Sequence, residues 1–138
     1  MVKNQKAQVG VEYMIIIGFV TLAIMSIVTL AYFYSGHIKD RIRLNQVENF
    51  ASQLISSAES VFFAGEPSKT TVRLYLPEGV EDITIMTDQI IITTRVSSGL
   101  NKRGFESQVP LSGTITSTMG IKKLLLQAND DDVLISQN

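Results

Sequence analysis

Residue types that perform catalysis are scarce in this chain. Among its 138 residues there is one histidine, His37, and no cysteine. A chain without cysteine forms no disulfide of its own, uses no thiol nucleophile and builds no cysteine metal site. His37 belongs to no recognisable motif, and the sequence contains no nucleophile elbow, phosphate-binding loop or zinc signature. We therefore expect a structural protein rather than an enzyme, with no cofactor and no bound metal.

Carboxylates form one dense cluster, the Asn-Asp-Asp-Asp run at residues 129–132. A calcium loop of the EF-hand type needs a glycine and a distal glutamate at fixed positions, and both are missing here. A charged turn between two strands is the preferred interpretation. The net charge is −1 and the basic residues are scattered, so charge gives no reason to expect a nucleic-acid partner. The pair Lys122-Lys123 is interpreted as part of a strand edge.

The first forty residues carry the strongest signal in the sequence. No charged residue occurs from Tyr13 to Gly36, and apolar side chains occupy every side of the helical wheel. About 20 apolar residues in a helix cross the hydrocarbon core of a bilayer. An ordinary secretory signal peptide has a shorter apolar core, of about 7–15 residues. A helix that is apolar all round must be surrounded by lipid or by other protein, so we predict one of these two environments.

A single carboxylate, Glu12, stands at the start of the apolar run, where lipid disfavours a charge that has no positive partner. The residues that lead up to it are Lys6-Ala7-Gln8-Val9-Gly10-Val11-Glu12. Together with the apolar helix, this segment resembles the class III signal sequence of archaeal type IV pilin precursors. In that family a prepilin peptidase cuts after a small residue that follows a basic one, and glutamine becomes the first mature residue. Gly10 and Ile16 stand where the family often has serine and leucine.

The resemblance implies a leader peptide at residues 1–7, cleaved between Ala7 and Gln8, and an apolar helix at residues 8–36. It also implies a precursor in the cytoplasmic membrane, a homopolymeric adhesive filament at the cell surface, and partners in the prepilin peptidase and the pilus assembly machinery. Glu12 would pair with the new α-amino group of Gln8 of a neighbouring subunit, which favours one register in a dry core. The residues implied in the filament core are Ile16, Phe19, Leu22, Ile27 and Leu30.

Beyond Gly36 the pattern becomes amphipathic, with apolar residues mostly at steps of three and four. We expect the helix to continue over residues 37–65 and to end near Ala64, because Gly65 suits a left-handed cap and Pro67 blocks continuation. A break at residues 35–37 stays open. The predicted apolar stripe consists of Ile38, Ile42, Val47, Phe50, Leu54, Ala58, Val61 and Phe62.

From Thr70 onwards the period changes to two, which predicts strands. Strands are expected at residues 70–76, 83–85, 90–96, 105–109, 114–117, 121–128 and 133–136, with loops at residues 97–99 and 101–104. The predicted fold class is α+β: a long N-terminal helix on a small antiparallel β-sandwich or barrel-like head at residues 66–138.

Three alternatives to a major pilin remain. The chain could be an archaellin, although the head is small for that class, or a minor pilin that primes or tips a filament. It could also be a membrane-anchored binding domain that never polymerises, which would need no cleavage after Ala7.

Overall fold

The computed structural model describes the backbone of residues 3–137 and the side chains of residues 9–137. It contains one helix, α1 (Lys3–Ala64), followed by seven strands in two sheets, and the predicted α+β class is confirmed. The chain divides into two compact units, Met1–Ile38 and Lys39–Asn138. Each unit is described separately, and the second is called the head.

The helix ends where the sequence predicts. Gly65 has a φ of 78°, and its N–H donates to the carbonyl of Phe62 at 3.0 Å. A left-handed glycine after the last helical residue satisfies a carbonyl that has no partner in the helix. Residues 35–37 are helical, so α1 has no break at Gly36.

The strands form a four-stranded and a three-stranded sheet, in the orders β1-β6-β7-β5 and β2-β3-β4. Every neighbouring pair is antiparallel except β5 and β7, which run parallel. The fully antiparallel prediction is wrong at this pair. Gly113 permits it, because a Cβ there would lie 2.0 Å from the carbonyl oxygen of Ile135. The strands are β1 (Lys69–Leu76), β2 (Val80–Ile85), β3 (Gln89–Val96), β4 (Gly99–Glu106), β5 (Leu111–Gly113), β6 (Gly120–Ala128) and β7 (Val133–Gln137).

Several strand predictions are wrong. Of the strand expected at residues 105–109, only 105 and 106 belong to a strand, and β5 at Leu111–Gly113 was not predicted. Residues 101–104 were expected in a loop but belong to β4, where they pair with β3. Lys102 and Gly104 lie on the outer side of this edge strand, which needs no apolar residues. Arg103 pairs with the buried Ile92 and lies on the inner side, where it bonds Glu48 of α1.

Residues 114–117 were expected to form a strand but are irregular. There the hydroxyl of Thr116 bonds the side chains of Gln137 and Lys122, and local side-chain bonds of this kind compete with strand pairing.

The core of the head is built from one face of α1 and from both sheets. Leu54 and Ala58 of the helix are fully buried, as are Leu76 of β1 and Ile92 of β3. The predicted stripe is correct from Val47 to Val61 but wrong at its start, since Ile38 and Ile42 are 53% and 52% exposed. Sequence periodicity shows which side of a helix is apolar, but it does not show where the covering strands begin.

Candidate functional site

The apolar segment, defined here as residues 9–36, has no buried face. The five side chains predicted for a filament core, Ile16, Phe19, Leu22, Ile27 and Leu30, are between 60% and 73% exposed. Successive helical residues are separated by about 100°, so these five lie within one arc of about 140° around the axis. Ile17 and Met25, which lie outside that arc, are also more than half exposed. Exposed contiguous apolar surface of this extent marks a site that binds a membrane or another protein.

Three hydroxyl side chains in the middle of the segment, those of Thr21, Ser26 and Thr29, donate hydrogen bonds to the helix backbone. The hydroxyl of Thr21 donates to the carbonyl of Ile17 at 2.7 Å. Ser26 and Thr29 do the same to the carbonyls four residues earlier, each at 2.8 Å. Such bonds satisfy the hydroxyl proton on the helix itself, so these side chains require no polar partner outside the segment.

Within the described residues, one helix is long and apolar enough to cross a membrane. The most apolar part of this helix is not covered by the chain itself. Length and composition therefore support a membrane-anchoring helix, and the same surface suits a bundle of helices.

The predicted processing and assembly residues lie at the start of α1. Gly10 and Glu12 are helical and exposed. Glu12 has no hydrogen bond or ion pair to any side chain that the structure describes. The side chains of Lys6, Ala7 and Gln8 lie outside the described residues, so the cleavage site and the pairing of Glu12 with Gln8 stay predictions.

Arg43 connects α1 to strand β3 and to the loop between β1 and β2. Its guanidinium donates to the carbonyl of Arg95 at 3.1 Å and to Oε1 of Glu78 at 2.9 Å. Asp40, one turn earlier, accepts from the backbone N–H of Ser97 at 3.0 Å. The sequence pattern placed Arg43 and Asp40 away from the apolar stripe. It did not indicate these contacts, because the partner residues are distant along the chain.

The loop between β1 and β2 approaches Arg43 closely at Gly79, a position that favours glycine. Gly79 has a φ of 82°, and a Cβ at this position would lie 3.1 Å from Nε of Arg43. The contact of Arg43 with this loop therefore depends on the backbone conformation at Gly79 as well as on the charge of Glu78.

Lys122 is a buried cation with hydroxyl partners. It is 5% exposed, and its Nζ donates to Oγ1 of Thr116 at 2.8 Å and to Oγ1 of Thr118 at 2.6 Å. The prediction of a strand edge is wrong here, because β6 lies between β1 and β7. The alternation of β6 contains the signal: Lys122 is in phase with the inward-facing Leu124 and Leu126.

The carboxylate cluster forms a turn between β6 and β7. Asn129 donates from its backbone N–H to the carbonyl of Asp132 and from its side chain to Oδ1 of the same residue, both at 2.9 Å. The negative charge of Asp130, and then a hydrogen bond to it, raise the pKa of Glu66 above its usual value. Among the described residues, no three histidine or carboxylate side chains are grouped so that they could hold a metal ion.

Comparison of the chain with protein-family models, with curated proteins and with solved structures found no match. The functional conclusion therefore depends on the chain's own chemistry.

Proposed function

We propose that this chain is the precursor of an archaeal type IV pilin-like subunit of an adhesive filament. The observation that carries the proposal is the apolar segment, which is exposed on all sides and contains no charged residue after Glu12. The segment Lys6-Ala7-Gln8-Val9-Gly10-Val11-Glu12 directly before it supports cleavage by a prepilin peptidase.

The proposed assembly follows from where an apolar helix is stable. The precursor lies in the cytoplasmic membrane, where lipid covers the segment. After cleavage, the segment leaves the lipid and packs against the same segment of other copies. Lipid tails are as apolar as the segment, so this transfer depends on close packing of the helices and not on removal of apolar surface from water. In the finished filament, outside the membrane, burial of the same surface away from water contributes about 25 cal/mol per Å² and holds the bundle together.

Glu12 has a defined part in this proposal. Cleavage after Ala7 creates a positive α-amino group at Gln8, and the carboxylate of Glu12 pairs with that group on a neighbouring copy. A buried ion pair that loses one partner is strongly unfavourable, so the pair rejects incorrect registers more than it adds cohesion. The head stays outside the bundle and provides the surface that adheres.

A membrane-anchored binding domain is the second candidate. It is favoured by the finding that α1 is long and apolar enough to cross a bilayer, which an anchor needs as much as a pilin does. An anchor differs from a pilin in two respects: its N-terminus is not cut after Ala7, and its copies do not polymerise.

Mass spectrometry of surface material, combined with electron microscopy of the same sample, separates the two candidates. The pilin proposal expects fibres whose subunits begin at Gln8. If this chain is the most abundant protein in the fibres, it is a major rather than a minor subunit. A chain that begins at Met1 and stays in the membrane fraction, with no fibres, would support the anchor and reject the filament. The variant Glu12→Gln provides a further check, because it should be cleaved normally but should yield fewer fibres.

A further inference from the structure

The outer side of the four-stranded sheet carries basic and apolar groups without a carboxylate. In β1, the inward-facing Leu74 and Leu76 are buried, so Arg73 and Tyr75 point outwards. In β6 the alternation places Ile121 and Lys123 outwards. We call these four residues and Lys69 the basic face. The remaining outward positions of β1, β6 and β7 are neutral: Thr71, Leu125, Gln127, Leu134 and Ser136.

The pairing of β1 with β6 brings like charges together on this face. Arg73 lies directly opposite Lys123 in the register, an arrangement that destabilises an isolated sheet. None of the ion pairs among the described residues involves Arg73, Lys123 or Lys69.

Next to the charges lies an exposed apolar pair. Tyr75 is directly opposite Ile121, and the two residues are 53% and 75% exposed. Aromatic and arginine residues beside an aliphatic one are typical of the centre of a protein interface.

The complementary charge lies at one end of the same head. The backbone N–H of Ala128 donates to the carbonyl of Ser68 at 2.9 Å, which holds the loop before β1 beside the loop after β6. We call the four carboxylates on these two loops, Glu66, Asp130, Asp131 and Asp132, the acidic tip. The negative charge of Asp130 opposes ionisation of Glu66, and a cation from outside would relieve this repulsion.

We infer that the basic face of one head docks on the acidic tip of a second copy of this chain. Two basic faces related by a two-fold axis would repel each other, so the contact must join different surfaces of the two copies. A contact of this kind repeats from copy to copy and generates rings or open chains. The inference goes beyond the proposed function, because it requires neither cleavage after Ala7 nor bundling of the apolar segments.

Paired cysteines in the full-length chain test the contact, because the natural sequence has no cysteine. Thr71→Cys lies on the basic face and Asp131→Cys on the acidic tip, and both positions are exposed. With both substitutions in one chain, mild oxidation of the membranes or fibres should give a ladder of dimers, trimers and larger species on a non-reducing gel. Each single variant should give dimers at most. The control pair Thr71→Cys with Leu100→Cys, the latter on the outer side of β4, should give no ladder.

Charge reversal provides the second arm. In the paired-cysteine chain, Arg73→Glu with Lys123→Glu should reduce the ladder at least tenfold, and adding Glu66→Lys with Asp130→Lys should restore it. A ladder that survives reversal, or one equal to that of the control pair, would overturn the inference. A monomeric paired-cysteine chain would also overturn the inference. The basic face would then be assigned to lipid if Arg73→Glu with Lys123→Glu weakened its binding to vesicles that contain anionic phosphatidylglycerol. Electron microscopy keeps the two proposals apart: fibres without a ladder reject the contact alone, and a ladder without fibres rejects the filament alone.

Discussion

The residues of α1 before and after Lys39 share one backbone conformation but differ in how the chain covers their apolar side chains. Before Lys39, large apolar residues are exposed on every side of the helix. After it, Val47, Phe50, Leu54 and Ala58 are buried on a single face. Helical structure is therefore no guide to environment, and the arrangement of charged residues around the axis is the feature that separates the two regions.

Two carboxylates of the second region accept hydrogen bonds from the β-strand part of the head. Glu48 accepts from Arg103 of β4 at 3.3 Å, and Glu59 accepts from the backbone N–H of Gln108 at 3.2 Å. The first region has no charged side chain after Glu12 until Lys39. In the second region, polar contacts therefore flank the buried apolar stripe on α1. The apolar segment has no charged side chains after Glu12 that could make such contacts.

The largest expected effect separates the two regions by their contribution to the stability of the head. Leu54→Ala removes a fully buried side chain and should lower the free energy of unfolding by about 2–5 kcal/mol, through lost burial and the cavity left behind. The matched variant Leu22→Ala, in the apolar segment, should leave head unfolding unchanged. Denaturant unfolding of the full chain in mild detergent, followed by the circular dichroism of the strands, measures both. Equal effects would contradict the division of the helix.

A lysine placed in each of the two regions tests which of them enters the membrane. Ile27→Lys puts an ammonium into the apolar segment and should disfavour membrane insertion by about 2.5–3.5 kcal/mol. Ile42→Lys, at an exposed position of the second region, should insert normally. The fraction of each chain recovered in washed membranes is the measurement. If Ile27→Lys inserted as well as the control, the segment would not be the part that contacts lipid.

Within the head, two adjacent lysines test whether burial or charge decides the effect of a substitution. Lys122→Met removes the donor to Thr116 and Thr118 and should destabilise the head by about 1 kcal/mol. Lys123→Met, on the outer side of the same strand, should stay within about 0.5 kcal/mol of the natural chain. Hydrogen exchange should also show faster exchange at residues 114–119 in the first variant alone. A larger loss in Lys123→Met would show that the alternation of β6 is wrong.

The smallest expected effect depends on pH and belongs to the head alone. The neighbouring charge of Asp130 raises the pKa of Glu66 above its usual value of 4.5. Protonated Glu66 thus favours folding, and this contribution is complete below pH 4.5 and is lost as the pH rises through the higher folded-state pKa. Glu66→Gln should therefore raise the Tm slightly at neutral pH and leave it unchanged in acid.

The control for that measurement is Glu106→Gln, at an exposed carboxylate of β4 that has no hydrogen bond or ion pair among the described residues. Repulsion by Asp130 would not be the cause of the Tm gain if Glu66→Gln still raised the Tm below pH 4.5, or if the control raised it equally.

Much of the fold could be predicted because it depends on local patterns. The length of the apolar run predicted the long helix, the Gly65–Pro67 signal predicted where it ends, and alternating residues predicted most of the strands. In each case, the residues that determine the feature are neighbours in the sequence.

The errors have the opposite origin. The parallel pair of β5 and β7, the burial of Lys122 and the contacts of Arg43 all depend on residues that meet only in the folded head. The basic face could not be predicted either, because Arg73 and Lys123 become neighbours only through the register of β1 with β6. The predicted processing site needs no tertiary contact, and for that reason the fold of the head contains no information about it.

The inward hydroxyl bonds of the apolar segment have a consequence for its orientation. With no donor directed outwards from Thr21, Ser26 or Thr29 and apolar groups on every side, the surface hardly distinguishes one rotation about the helix axis from another. A copy in lipid can spin with little energetic penalty. The angle at which it finally settles against its surroundings must be imposed by polar groups at the two ends of the segment, namely Glu12 near its start and the charged head after it.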